Sequence, residues 1–136
     1  MSDTTATFGY TVFWVHDADA AAAFYETVFG LARRLQAQTP LTPWIELETG
    51  PTALAFAEFT EADVLFDHQY RRHDPDQDPV ASVISFVTDD VEGAYARALE
   101  SGARSLTEPR TEPWGQTIAR VVDPAGLAVS IATPRR

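Results

Sequence analysis

The chain has 136 residues, 45% of them hydrophobic, and a net charge of −10 set by 20 acidic residues against ten arginines and no lysine. Such a surface repels phosphate backbones and argues against a nucleic-acid partner, while the absence of cysteine excludes disulfides and thiolate metal ligands. No apolar run approaches the roughly 20 residues that span a bilayer, and the polar start Met1-Ser2-Asp3 lacks the basic region of a secretory leader, so the expectation is a cytoplasmic protein with no membrane partner.

Residues 8–15 are β-branched and aromatic and read as a strand. Asp17 supplies a helix N-cap, and Ala20 to Phe29 place Ala21, Phe24, Tyr25 and Val28 on one helical face before Gly30 stops it. A weak strand over 32–38 is followed by strands at 44–48 and 53–59, split by Gly50-Pro51. Residues 60–80 are a polar connector rich in Asp, Arg and His, with a short helical turn expected near 61–72 and the option of closing as a lid. A strand at 82–88, a helix from Val91 to Glu100 stopped by Gly102, and strands at 104–108, 116–122 and 127–132 complete the chain. Asp123-Pro124-Ala125-Gly126 is a tight turn between the last two.

The order strand, helix, three strands thus occurs twice. The expected fold is α+β: one domain made of two βαβββ modules, module one over 8–59 and module two over 81–133, joined by the connector 60–80. Pro43-Trp44 and Pro113-Trp114 read as corresponding points of the repeat.

Two stretches carry a resemblance. Val15-His16-Asp17 through Phe24-Tyr25 to Phe29-Gly30-Leu31 resembles the opening motif of the vicinal oxygen chelate superfamily, the glyoxalase, bleomycin-resistance protein and extradiol dioxygenase group. Pro113-Trp114-Gly115-Gln116 and Val122-Asp123-Pro124-Ala125-Gly126 resemble its closing motif. The resemblance implies a cup-shaped mixed sheet with helices on its convex side, and a homodimer. It also implies ligand positions, which in metal-dependent members hold His, Glu or Gln. Here they fall on Tyr10, Ala55, Val83 and Ser130, none of which is an imidazole or carboxylate donor. The expectation is therefore no metal and no cofactor, as in the metal-free, drug-sequestering branch.

Strand parity gives the cup lining. In module one Tyr10, Val12, Trp14 and Ala55 face inward, with Ala53 and Ala57 leaving room. In module two Val83, Ser85, Gln116, Ile118, Arg120 and Ser130 do so, with Trp44 and Trp114 at the rim. Tyr10 and Trp14 either stack on a ligand or pack a core. Trp44 and Trp114 either clamp a flat ligand or close the ends of the core. Arg120 either binds a ligand carboxylate or phosphate or pairs with an acid such as Glu46 or Glu48. His68 and His73, five residues apart among aspartates, make a poor metal signal. The expected partner is a small aromatic or cationic molecule, held by a metal-independent binding protein of resistance type. The rival is a lyase, isomerase or dioxygenase with an atypical metal site, or a metal-free enzyme using Tyr10, Glu58 or Arg120.

Overall fold

The computed structural model describes residues 4–135. Module one consists of β1 (Tyr10–Val15), α1 (Ala18–Phe29), β2 (Arg33–Gln38), β3 (Pro43–Glu48) and β4 (Ala53–Glu58). A short helix α2 (Phe59–Leu65) leads into the connector. Module two repeats the plan with β5 (Ile84–Val87), α3 (Val91–Glu100), β6 (Arg104–Thr111), β7 (Thr117–Val122) and β8 (Ala128–Ala132). Each module folds into a four-stranded mixed sheet, in the orders β1-β4-β3-β2 and β5-β8-β7-β6. The first strand of each pairs in parallel with the last, and the other pairs are antiparallel. The arrangement matches the expected pair of βαβββ modules curling into a cup.

Local chemistry explains the helix starts. The Asp17 carboxylate accepts from Ala20 N–H at 3.0 Å and the Asp90 carboxylate from Gly93 N–H at 2.9 Å, each satisfying a free donor of the first turn. Glu58 reaches back from β4 to accept from Ala18 N–H at 2.9 Å, so this carboxylate also serves the start of α1. Gly30 closes α1 in the left-handed region, at φ 70°.

The core lies on the helix side of both sheets. Tyr25 is fully buried there, stacked on Phe56 at 5.3 Å and near Phe86 at 5.7 Å, while Phe29 stacks on Phe86 at 4.0 Å. Rings from both modules thus form one cluster, with about 1.5–3 kcal/mol gained per fully buried large side chain. The Tyr25 hydroxyl donates to the Asp123 carboxylate, whose other oxygen accepts from Ala125 and Leu127 N–H at 2.9 Å. Burial, ahead of the Asp123 charge, pushes the Tyr25 hydroxyl well above its ordinary pKa. Burial likewise raises Asp123, against the opposing pull of its hydrogen bonds. One residue from the opening motif and one from the closing motif therefore bolt the two modules together.

Three expectations need correction. The dipeptides Pro43-Trp44 and Pro113-Trp114 are not structural equivalents. Glu46 pairs with Ala55 across β3 and β4, as Arg120 pairs with Ser130 across β7 and β8. The match of Glu46 to Arg120 puts Trp44 opposite Ile118, while Trp114 lies in the turn before β7. That turn sits later because β6 is longer than β2. The connector also does not fold as one lid. The α2 end stays with module one, whereas Asp74-Pro75 crosses to the turn at Gly126. A Cβ on Gly126, which has φ +98°, would meet the Asp74 backbone at 2.7 Å, so only glycine lets the connector dock there. Finally, the alanines of β4 leave no room, as described next.

Candidate functional site

Strand register fixes which residues share a sheet face. In module one Tyr10, Val12 and Trp14 lie beside Ala53, Ala55 and Ala57, all on the sheet face opposite α1. These alanines are only 5%, 0% and 0% exposed, respectively. The large side chains close over the small ones. Tyr10 meets Trp44 edge-on at 6.1 Å, and Trp44 Nε1 donates to Glu46 at 2.9 Å. Glu46 also holds Arg34 at 3.1 Å. At the rim Trp14 Nε1 donates to Glu61 of α2 at 3.1 Å, and its ring packs against Phe66 at 5.3 Å. The connector braces α2 in turn: Tyr70 donates to Asp63 at 2.5 Å, and Arg72 sits 4.5 Å above the Phe59 ring. The expected roomy floor is thus a sealed one, because aromatic neighbours fold down onto side chains that are single methyl groups.

The same face of module two is different. Ser85 pairs with Ser130, Ser130 with Arg120, and Arg120 with Thr107. These four residues form one row across β5, β8, β7 and β6, on the face turned away from α3. Arg120 is half-buried, Ser130 buried and Ser85 exposed. Among the described residues, none of the four side chains has a protein hydrogen-bond or ion-pair partner, and the Thr107 hydroxyl is buried without one. Arg120 therefore does not pair with Glu46 or Glu48; Glu46 is engaged within its own module. Two residues along each strand from the row stand Val83 and Val87, Ala128 and Ala132, and Ile118 and Val122, so a polar stripe crosses an apolar face. Val83 and Val87 are 50% and 63% exposed.

Gln116 and Trp114 stand apart from this row. Trp114 Nε1 donates to Gln116 Oε1 at 2.7 Å, and Gln116 Nε2 donates to the Thr133 carbonyl at 2.8 Å. They line a cleft of about 360 Å³ with Asp89 and Pro134 at the end of β7. A second cleft, of about 420 Å³, runs between the facing edges of β1 and β5 and is lined by Thr11, Phe13, Leu54 and the whole of β5. Ser85 and Val83 thus border both this cleft and the row. The twelve candidate residues divide between two sheets, five on the sealed face and seven on or beside the open one.

The positions implied for a divalent metal do not fit one. Tyr10, Ala55, Val83 and Ser130 occupy the two faces as aligned, and their side chains offer a phenol, two hydrocarbons and a hydroxyl. Among the described residues no group of three or more His, Asp or Glu side chains is placed to hold an ion. His68 lies 3.8 Å from Asp63, whereas His73 leaves it to pack on Phe13, 6.0 Å between ring centroids. Burial holds His73 below its ordinary pKa of 6.5, despite the nearby Asp123 charge.

Sequence reasoning missed Thr107, because β6 was expected to be weak and short. It also missed the role of α2 in covering Trp14. The run Thr107-Glu108-Pro109-Arg110 alternates poorly, and its two register shifts against β7 explain why.

The model of the Glyoxalase/Bleomycin resistance protein/Dioxygenase superfamily matches residues 7–131. A 4-hydroxyphenylpyruvate dioxygenase of Pyricularia oryzae is 26% identical over 129 residues, covering 76% of this chain and 29% of that protein. The chain thus spans under a third of the length of this curated relative. Among solved structures, a glyoxalase/bleomycin resistance protein/dioxygenase family enzyme from Burkholderia phytofirmans PsJN is similar with a TM-score of 0.73 at 22% identity, covering 92% of this chain and 96% of that one. A lactoylglutathione lyase from Agrobacterium tumefaciens is similar with a TM-score of 0.65 at 22% identity, covering 98% and 97%. At such identities the structural likeness carries the fold.

Proposed function

Since the chain belongs to the Glyoxalase/Bleomycin resistance protein/Dioxygenase superfamily, we propose that it is a metal-independent small-molecule binding protein whose binding surface is the open face of module two. The observation behind this reading is the row Ser85–Ser130–Arg120–Thr107. Unsatisfied polar groups convergent on an apolar surface are what ligand sites present, and here they coincide with a donor set unsuited to a divalent cation. Sequestration, of the kind resistance proteins perform, asks only for binding and would need no catalytic group. Tyr10, Trp14 and Trp44 act in this reading as the wall of the sealed module, not as ligand-stacking residues.

A second copy of the chain is the proposed cover for the open face. Tyr10, Leu35, Val83 and Val87 are exposed apolar side chains on the cup faces, and a homodimer would remove them from water. The proposed location is the cytoplasm, consistent with a chain that lacks cysteine. Among the described residues no helix is long and apolar enough to cross a membrane.

Thermal-shift screening of the purified protein against small aromatic and acidic metabolites tests the reading. A ligand at about 100 times its dissociation constant stabilises by about 2.7 kcal/mol. Binding that survives chelation and maps to module two is the expected result. The names borne by two similar proteins, a dioxygenase and a lyase, favour enzyme activity as the second reading. Stoichiometric iron, nickel, zinc or manganese in protein purified without added metal would establish it and overturn the first.

A further inference from the structure

We propose that the row on module two is an oxyanion site, and that the ligand is an apolar molecule carrying one carboxylate or phosphate, with Arg120 as its principal contact. The inference rests on the binding reading above and names the class of ligand.

The argument begins with an imbalance. The chain has 20 carboxylate side chains and ten arginines, so acceptors for a guanidinium are abundant. Arg33, Arg34, Arg72 and Arg110 each hold at least one carboxylate. Arg97 and Arg104 donate instead to the Val28 and Gln77 carbonyls, and Arg71 and Arg135 are exposed, whereas Arg120 is half-buried in the middle of a sheet face and holds no acceptor among the described residues. Its guanidinium presents five donors in a planar fork. An acceptor with two or three oxygens in a plane or tripod meets that fork bidentately.

Its neighbours reinforce the choice. Thr107 beside it has a buried hydroxyl with no partner among the described residues, a state that is costly unless something else accepts its proton. Ser130 on the other side and Ser85 beyond it add two more hydroxyls in register. Hydroxyls donate as readily as they accept, so three of them beside one fixed positive charge suit an anion. The structural twin of Arg120 in module one is Glu46, which is neutralised by Arg34 and bonded to Trp44. Equivalent positions of the fold thus carry a satisfied charge in one module and an available one in the other.

The body of the ligand follows from the surroundings. A net charge of −10 disfavours free inorganic anions at long range. Binding then needs apolar contact as well, and the exposed Val83 and Val87 flank the row to provide it. This reverses the cationic ligand suggested by net charge alone: the local group at the site outweighs the average of the surface.

The test uses one aromatic body with four head groups: 2-naphthoate, 2-naphthyl phosphate, neutral 2-naphthol and the 2-naphthylmethylammonium cation. Each is titrated by calorimetry into the full chain and into Arg120→Met and Arg120→Lys, with backbone amide shifts locating the site. At least one anionic probe should bind about tenfold more tightly than the neutral and cationic ones. That preference should vanish in Arg120→Met and persist in part in Arg120→Lys, with the shifts centred on Ser85, Thr107 and Ser130. Whether carboxylate or phosphate wins identifies the acid. Binding of all four probes without preference, or an anion preference untouched by Arg120→Met, would overturn the oxyanion site while leaving the small-molecule reading intact. No binding by any probe would also overturn it, and the metabolite screen would then decide the broader reading separately. Both variants should fold, which a melting curve checks, because the guanidinium they alter has no partner among the described residues.

Discussion

Module one and module two share a chain plan and differ in what they leave unfinished. On the cup face of module one the row Val12–Ala55–Glu46–Leu35 contains one charge, and Arg34 and Trp44 occupy it. The matching row of module two, Ser85–Ser130–Arg120–Thr107, contains four polar side chains, and none of them has a side-chain partner among the described residues. A duplicated fold lets one copy stabilise the domain while the other retains costly, unsatisfied groups. Such groups persist when a ligand completes them, since folding alone would favour their loss.

The sharpest way to probe the contrast is to break what the modules share. Asp123→Ala leaves the Tyr25 hydroxyl and the Ala125 and Leu127 amides without their acceptor, and should cost about 3 kcal/mol in a urea unfolding curve. A loss below about 1 kcal/mol would mean that the bolt between modules contributes little beyond an ordinary hydrogen bond.

Next in size is the sealed floor. Ala55→Leu forces extra methyl groups beneath Trp44 and Tyr10, and overpacking of that kind costs about 2 kcal/mol. An unchanged melting temperature would show that the module-one face has room after all. The paired charges give a smaller and more discriminating comparison. Glu46→Met strips Arg34 and the Trp44 indole of their partner and should destabilise by about 1 kcal/mol. Arg120→Met, at the twin position, should shift stability by no more than about 0.5 kcal/mol in either direction. Equal losses from the two substitutions would erase the distinction between the modules.

The smallest effect concerns His73, where the connector crosses to module two. Packing on Phe13 holds its pKa below 6.5 in the folded chain. The folded chain therefore binds fewer protons there than the unfolded one, and stability falls as the pH drops through 6.5 and below. Asp123, with a raised pKa, contributes in the opposite sense on acidification. The difference between the wild type and His73→Asn isolates the histidine: melting temperatures measured from pH 7.5 downwards should converge as the pH falls. Parallel curves would show that the imidazole is not desolvated.

Much of this was legible in the chain. Asp17 marks a helix start because a carboxylate before an apolar helical face has one good use, and it caps as expected, as Asp90 does for α3. Alternation along β1 and β7 assigned Tyr10, Val12, Trp14, Ile118 and Arg120 to their faces, since a period of two follows from the pleat. What failed depended on contacts between distant residues. The Pro-Trp dipeptides suggested an equivalence that strand pairing does not support, because β6 is longer than β2 and moves the turn. The alanines of β4 suggested space, because sequence shows the size of a side chain but not what folds over it.

The sequence by itself determined the two βαβββ modules, their caps and the face on which each strand residue stands, because these follow from local propensity and backbone periodicity. Only the tertiary structure decided that the Tyr25 hydroxyl meets Asp123, that Glu46 is neutralised, and that Arg120 stands beside the buried Thr107 hydroxyl. Whether a polar group finds a partner depends on residues far away in the chain, and that is settled only when the sheets are assembled.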